Sequence, residues 1–138
     1  MDLGPASERR LAGVHPDLIR VVLRAAEIAG ALHFIVTEGL RTPGRQAALV
    51  LAGKSATQRS RHLTGHAVDL AVMDGDTITW EFPRYKQLAD VMSLAAETEK
   101  VPIEWGGAWT HLRDGPHFQR PWEKYPAPGP ADGGQSVA

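Results

Sequence analysis

Apolar residues recur at helical spacing through Leu18, Val22, Ala25 and Ala29, with Arg20, Arg24 and Glu27 on the other faces. Pro16 suits a first helical position and Gly30 a stop, so this pattern predicts a helix between them. Ahead of it, Ser7-Glu8-Arg9 opens a short helical turn. The run His33-Phe34-Ile35-Val36-Thr37 is short, apolar and β-branched, as in a buried strand. Gln46 to Ala52 reads as a helix ended by Gly53-Lys54-Ser55, and residues 54–61 as a polar loop. Ala67–Val72 and Thr77–Trp80 flank Met73-Asp74-Gly75-Asp76, where Asp-Gly between two strand-like runs signals a hairpin. Those acids lack the ligand spacing and distal Glu of a calcium loop. Pro83 to Glu99 reads as a helix with Leu88, Met92, Ala95 and Ala96 on one face, and Val101–Trp105 and His117–Gln119 as short strands. From Pro126 the chain is Pro, Gly, Ala and Ser, a composition with little to bury. One domain over 1–125 followed by a flexible tail over 126–138 is expected.

Helices and strands mix without a regular βαβ alternation, which predicts an α+β fold with a mainly antiparallel sheet flanked by helices. At 138 residues, 43% hydrophobic and 22% charged, the chain has the size and composition of one globular domain. It has no cysteine, which excludes a disulfide framework, a thiolate metal site and a thiol nucleophile. Any metal must be held by nitrogen and oxygen. With 15 basic and 16 acidic residues, nucleic acid is not the default partner. No stretch approaches the ~18 apolar residues of a membrane span. Met1-Asp2-Leu3-Gly4-Pro5 lacks the basic start and apolar run of a signal peptide, so a soluble product made in the cytoplasm is expected.

The chemistry concentrates in Ser60-Arg61-His62-Leu63-Thr64-Gly65-His66-Ala67-Val68-Asp69 and in Asp114-Gly115-Pro116-His117. Two His and one Asp make a three-ligand set of the kind catalytic zinc uses, with the fourth position left for water. Each residue alone also has an ordinary reading. His62 could be a surface or capping histidine, His117 a satisfied core histidine, Asp114 a turn residue and Arg41 a surface ion-pair partner. Trp105 and Trp109 suit the core or a cleft wall, and Gly106 and Gly107 backbone geometry. Asp69 differs, because an acid inside Ala67-Val68-Asp69-Leu70-Ala71 needs a partner or a metal. His15, His33, His66 and His111 have no motif and are read as structural.

Taken together, Ser60-x-His62-x-x-Gly65-x-Ala67-x-Asp69, Trp105-Gly106-Gly107-Ala108-Trp109 and Asp114-x-x-His117 resemble the M15 family of zinc peptidases, in the family's order and over most of the chain. That family includes D-Ala-D-Ala carboxypeptidases and dipeptidases, and phage endolysins that cut L-alanyl-D-glutamate bonds in peptidoglycan. The resemblance implies a Hedgehog/DD-peptidase-like fold with Zn2+ on His62, Asp69 and His117 at the sheet. It implies Asp114 as general base and Arg41 as the oxyanion partner, with Ser60, Gln46 and Trp105 toward substrate. It further implies an endolysin, made in the host cytoplasm and acting on bacterial peptidoglycan once the membrane is permeabilised. A monomer is expected, without nucleic acid or stable membrane association. The connections between motif-bearing segments are short, leaving little to close one end of a cleft, which favours an endopeptidase. The alternatives are a D-Ala-D-Ala carboxypeptidase or dipeptidase of the same family, and a zinc-containing peptidoglycan-binding module without turnover.

Overall fold

Strand β2 (Ala67–Asp74) organises the molecule because it pairs along both edges. A computed structural model describes residues 2–53, 60–109 and 113–121. One edge of β2 is taken by β1 (His33–Glu38). The other is shared end to end by β5 (His117–Gln119) and β3 (Thr77–Thr79). A two-residue strand β4 (Glu104–Trp105) pairs with the outer edge of β5, and every pairing is antiparallel. The core face presents Phe34, Val36, Val68, Leu70, Val72 and Phe118, all fully buried.

Two helices cover that face. In α2 (Pro16–Ile28), His15 caps the start by accepting from the Asp17 N–H at 3.1 Å, and Leu18, Val21, Val22, Ala25 and Ala26 are buried. In α4 (Phe82–Glu99), Tyr85, Leu88, Met92, Ala95 and Ala96 are buried. Each large apolar side chain so placed contributes roughly 1.5–3 kcal/mol relative to exposure. Two shorter helices, α1 (Pro5–Arg10) and α3 (Pro43–Leu51), complete the fold. Buried Arg61 donates from Nε and Nη2 to the Arg120 carbonyl, tying β5's end to the segment before β2. Burial lowers the Arg61 pKa to about 10.

Several boundaries differ from expectation for local reasons. Helix α3 begins at Pro43 rather than Gln46, because the Thr42 hydroxyl accepts from the Arg45 N–H at 3.1 Å and Pro43 fills the first turn. The hairpin turns on Gly75-Asp76 rather than Asp74-Gly75. Asp74 pairs with Thr77, and Gly75 takes φ +64°, as in a connection with Gly first. The strand expected from Val101 is shortened to β4. Val101 closes α4 by donating to the Ala96 carbonyl at 2.9 Å behind left-handed Lys100, and Pro102 has no N–H to pair. Residues 54–59 of the expected loop, His111 and the 126–138 tail lie outside the described residues.

The Tyr85 hydroxyl accepts from the Val72 N–H at 3.1 Å and donates to the Thr79 carbonyl at 2.8 Å, pinning β2 and the end of β3 to α4. Tyr85→Phe should therefore cost about 1–3 kcal/mol, the penalty for a buried donor left without a partner. Urea unfolding checks this, and a change within about 0.3 kcal/mol would show that the bridge is not used.

Candidate metal and catalytic site

Opposite the helices, the sheet register sets three ionisable side chains in a row. Asp69 of β2 lies opposite His117 of β5 on one side and Glu38 of β1 on the other. Directly paired residues share a face. Glu38 reaches this face only because the register slips between Val36 and Glu38. Unbroken alternation from Val36, which pairs with core-facing Leu70, would point Glu38 into the core. The extra residue, Thr37, donates from its hydroxyl to the Asp69 carbonyl at 3.2 Å. Such bulges re-aim side chains.

His62 comes from outside the sheet, on a 3₁₀ turn over Arg61–Thr64. The Ser60 hydroxyl caps this turn by accepting from the His62 N–H at 3.1 Å. Gly65 ends it at φ +75°, where a Cβ would stand 2.4 Å from the Gly13 carbonyl oxygen. The turn is clasped to the segment after β1 in both directions. The Arg41 N–H donates to the His62 carbonyl at 2.9 Å, and His62 Nδ1 donates to the Gly39 carbonyl at 2.8 Å.

That last bond decides what the site can hold. A carbonyl only accepts, so Nδ1 carries the proton and the neutral ring presents the Nε2 lone pair, 3.2 Å from Asp69 Oδ1. His117 does the same with the opposite nitrogens. Its Nε2 donates to Gln119 Oε1 at 2.8 Å, and its Nδ1 stands 3.1 Å from the same Asp69 oxygen. Ligand atoms of His62, Asp69 and His117 lie within 4.8 Å of one another. Three electron-pair donors converge, each histidine oriented by a bond from its far nitrogen, as metal-binding histidines are. The residues fit a metal ion.

The electrostatics agree. Burial alone would raise the Asp69 pKa, but His62 and His117 outweigh it and hold the carboxyl well below the usual range. His117 is pushed above 6.5. Burial opposes the shift and its bond to Asp69 overrides it. Asp114 is raised, by burial first and then by the like charge of Asp69, and it is close enough to His117, His62 and Arg41 to feel each of them. Its N–H donates to the Gly106 carbonyl at 3.0 Å, which holds it beside the Gly106–Ala108 turn.

Arg41 is buried next to this group, with Nη2 at 3.8 Å from Asp69 Oδ2. Its Nε and Nη2 donate to the two oxygens of Glu38 at 2.9 and 2.6 Å, and its Nη1 donates to buried Gln46 at 2.6 Å. Arg45 also donates to Glu38, at 3.0 Å. Burial would raise the Glu38 pKa, but Arg41 and Arg45 lower it and keep it ionised. Trp105 spends its indole N–H on the Gly115 carbonyl at 2.7 Å and stacks on Phe82, so it stands in the wall. Trp109 is the indole against a candidate ligand, its ring 5.3 Å from that of His117. The rings of His15 and His66, read as structural, lie against each other with centroids 5.1 Å apart and a tilt of 37°.

The sequence-predicted His62, Asp69, His117, Asp114 and Arg41 are thus brought together. Ser60 and Gln46 lie beside them, holding His62 and Arg41 in place. The reading of the sequence missed Glu38 and Gln119. Gln119 was within reach, since residues two apart in a strand share a face. Glu38 was not, because simple alternation puts it on the wrong side.

A family model described as the phage L-alanyl-D-glutamate peptidase matches residues 1–120. The chain belongs to this family. It is 32% identical over 120 residues to the L-alanyl-D-glutamate peptidase of Listeria phage A118, covering 87% of this chain and 41% of that protein. The chain therefore spans about two-fifths of that relative's length. It is 28% identical over 115 residues to the L-alanyl-D-glutamate peptidase of Escherichia phage T5, covering 80% of this chain and 83% of that one. Among solved structures, the Serratia marcescens L-Ala D-Glu endopeptidase ChiX superposes with a TM-score of 0.82 at 49% identity, covering 88% of this chain and 90% of that chain. Those likenesses extend to the sheet and helices that position the site in this L-alanyl-D-glutamate peptidase family member.

Two predictions follow from the geometry. A metal must displace the proton that Asp69 favours on His117, so metal affinity should weaken as pH falls through the raised His117 pKa, above its ordinary ~6.5. Chelator competition at pH 8 and pH 6 measures this, and equal affinities would contradict it. At Gly106 a Cβ would stand 2.5 Å from the Asp114 carbonyl oxygen and 3.1 Å from the Cβ atoms of Asp114 and His117. Gly106→Ala should displace both and weaken metal affinity about 10–100-fold, the scale for disturbed support of a ligand, with the fold retained by circular dichroism.

Proposed function

We propose that this protein is a zinc-dependent peptidoglycan endopeptidase of the phage endolysin type, hydrolysing the L-alanyl-D-glutamate bond of cell-wall stem peptides. The observation that carries the reading is the convergence of two histidine lone pairs and an ionised carboxylate beside Asp114 and Arg41. Similarity to the L-alanyl-D-glutamate peptidases of phages A118 and T5 and to the L-Ala D-Glu endopeptidase ChiX supports the bond and the substrate. Nitrogen and oxygen donors in a three-residue set suit zinc in a hydrolase. Among the described residues, no helix is long and apolar enough to cross a membrane.

His62, Asp69 and His117 would hold the zinc ion. When bound, zinc lowers the pKa of a coordinated water to roughly 7 and polarises a carbonyl oxygen. Asp114 accepts the proton of the attacking water and returns it to the leaving amine of D-Glu. Its raised pKa favours that role, since burial and the charge of Asp69 make its carboxylate a readier proton acceptor than an ordinary one. Arg41 presents N–H groups to the oxygen on which negative charge develops, beside Asp69 and shielded from bulk water. Gln46 fixes one terminal nitrogen of Arg41, Ser60 fixes the turn that carries His62, and Trp105 lines the approach. Released from the host cytoplasm after membrane permeabilisation, the enzyme would meet the peptidoglycan as a monomer.

His117→Ala and Asp69→Ala should lose zinc and activity together, whereas Asp114→Asn should keep zinc and lose about 10²–10⁴-fold in turnover, the range for a general base. Metal analysis and assays on purified sacculi separate these outcomes. Full activity in either ligand variant would refute the coordination. Mass spectrometry of digested sacculi should show stem peptides beginning with D-Glu. Release of D-Ala alone would make the protein a carboxypeptidase, and zinc binding without any release would make it a binding module.

A further inference from the structure

We propose that Glu38 is a positioning residue of the active site, holding the Arg41 guanidinium in the plane and at the distance needed to meet the oxyanion. This rests on the reading of Arg41 given above. Three bonds immobilise that guanidinium: Nε and Nη2 on the two Glu38 oxygens, at 2.9 and 2.6 Å, and Nη1 on Gln46 at 2.6 Å. A side-on, two-point pair sets orientation as well as position, which a single charge contact does not. It leaves one N–H on each terminal nitrogen without a hydrogen bond among the described residues. On Nη2, that end lies on the side of Asp69 Oδ2, at 3.8 Å.

The backbone points the same way. The bulge at Thr37 interrupts the β1–β2 ladder and turns Glu38 onto the site face, in line with Asp69 and His117. Glu38 is not itself in the metal-capable group, which comprises His62, Asp69 and His117 among the described residues. Both its oxygens are engaged by guanidinium groups, Oε1 by Arg41 and Arg45 together. Without Glu38, Arg41 would lose its two-point anchor and face Arg45 uncompensated. The nearest remaining anion is Asp69, already within ion-pair distance. Arg41 would then swing toward a metal ligand and away from the reacting carbonyl. Glu38 is thus the strut that keeps the two charges apart.

The test is a double-mutant cycle on zinc-saturated protein, with wild type, Glu38→Gln, Arg41→Ala and the double variant assayed on a purified muropeptide. Glu38→Gln keeps the shape and removes the charge. It should lower kcat about 10–10²-fold, with KM within about twofold and with zinc content unchanged, because the lost interaction serves the transition state. Placed in the Arg41→Ala background, the same change should alter kcat by less than about twofold, since the two residues act as a unit. Glu38→Asp, which keeps the charge but withdraws it, should fall between Gln and wild type. Equal losses in both backgrounds, wild-type kcat in Glu38→Gln, or loss of zinc from it would overturn the assignment of Glu38 while leaving Arg41's role intact. Wild-type kcat in Arg41→Ala would overturn the oxyanion role itself, and this one with it.

Discussion

Two imidazole lone pairs and a carboxylate oxygen point at one another around Asp69, and nothing in the protein's own bonding separates them. The far nitrogens of His62 and His117 are committed to the Gly39 carbonyl and to Gln119, so neither ring can turn its proton inward without breaking a bond. Only a cation relieves this arrangement. A proton does so partially, which is why His117 holds one more tightly than an ordinary histidine. A metal ion would relieve all three donors at once, and its binding would be coupled to folding through the bonds that orient His62 and His117.

The rest of the structure supplies the tolerances. Two ligands sit on neighbouring strands at the same register position, so their separation follows from strand spacing. The third is on a turn, and the chain spends more on it: a Ser60 cap, a left-handed Gly65 wedged against Gly13, and two reciprocal bonds to the 39–41 segment. That segment follows the bulged strand β1 and carries Arg41. The bulge, Arg41 and the orientation of His62 are consequently one mechanical unit.

Much of this was legible in the sequence. Helices α2 and α4 followed from apolar spacing, β2 from a run of small and branched residues, and the convergence of His62, Asp69 and His117 from two short motifs without cysteine. What could not be read depended on contacts between distant segments. The start of α3 needed the Thr42 cap, and the loss of Val101 to helix closure needed a left-handed Lys100. Glu38 was hidden because periodicity assumes an unbroken ladder, and a single inserted residue reverses every assignment beyond it. The deeply buried Arg61 sits inside the most informative motif, and nothing in that motif marks it as buried. Its partners are backbone carbonyls of Arg120 and Pro121, which no local pattern announces.

The charge arrangement explains why such a site needs both its arginines. Glu38, Asp69 and Asp114 bring three carboxylates together, against the guanidiniums of Arg41 and Arg45, with the histidines neutral as ligands. With all three ionised, the cluster carries a deficit of one positive charge. A divalent ion held by His62, Asp69 and His117 would turn that into an excess of one, which would favour an oxyanion beside Arg41. Asp114 is the member that burial and Asp69 make easiest to neutralise, as the proposed general base would need to be. In the proposed reaction, the proton that Asp114 takes from the attacking water would leave the total charge of the site unchanged while moving negative charge from the carboxylate onto the oxygen that Arg41 faces, so the two residues would act on the same step from opposite sides.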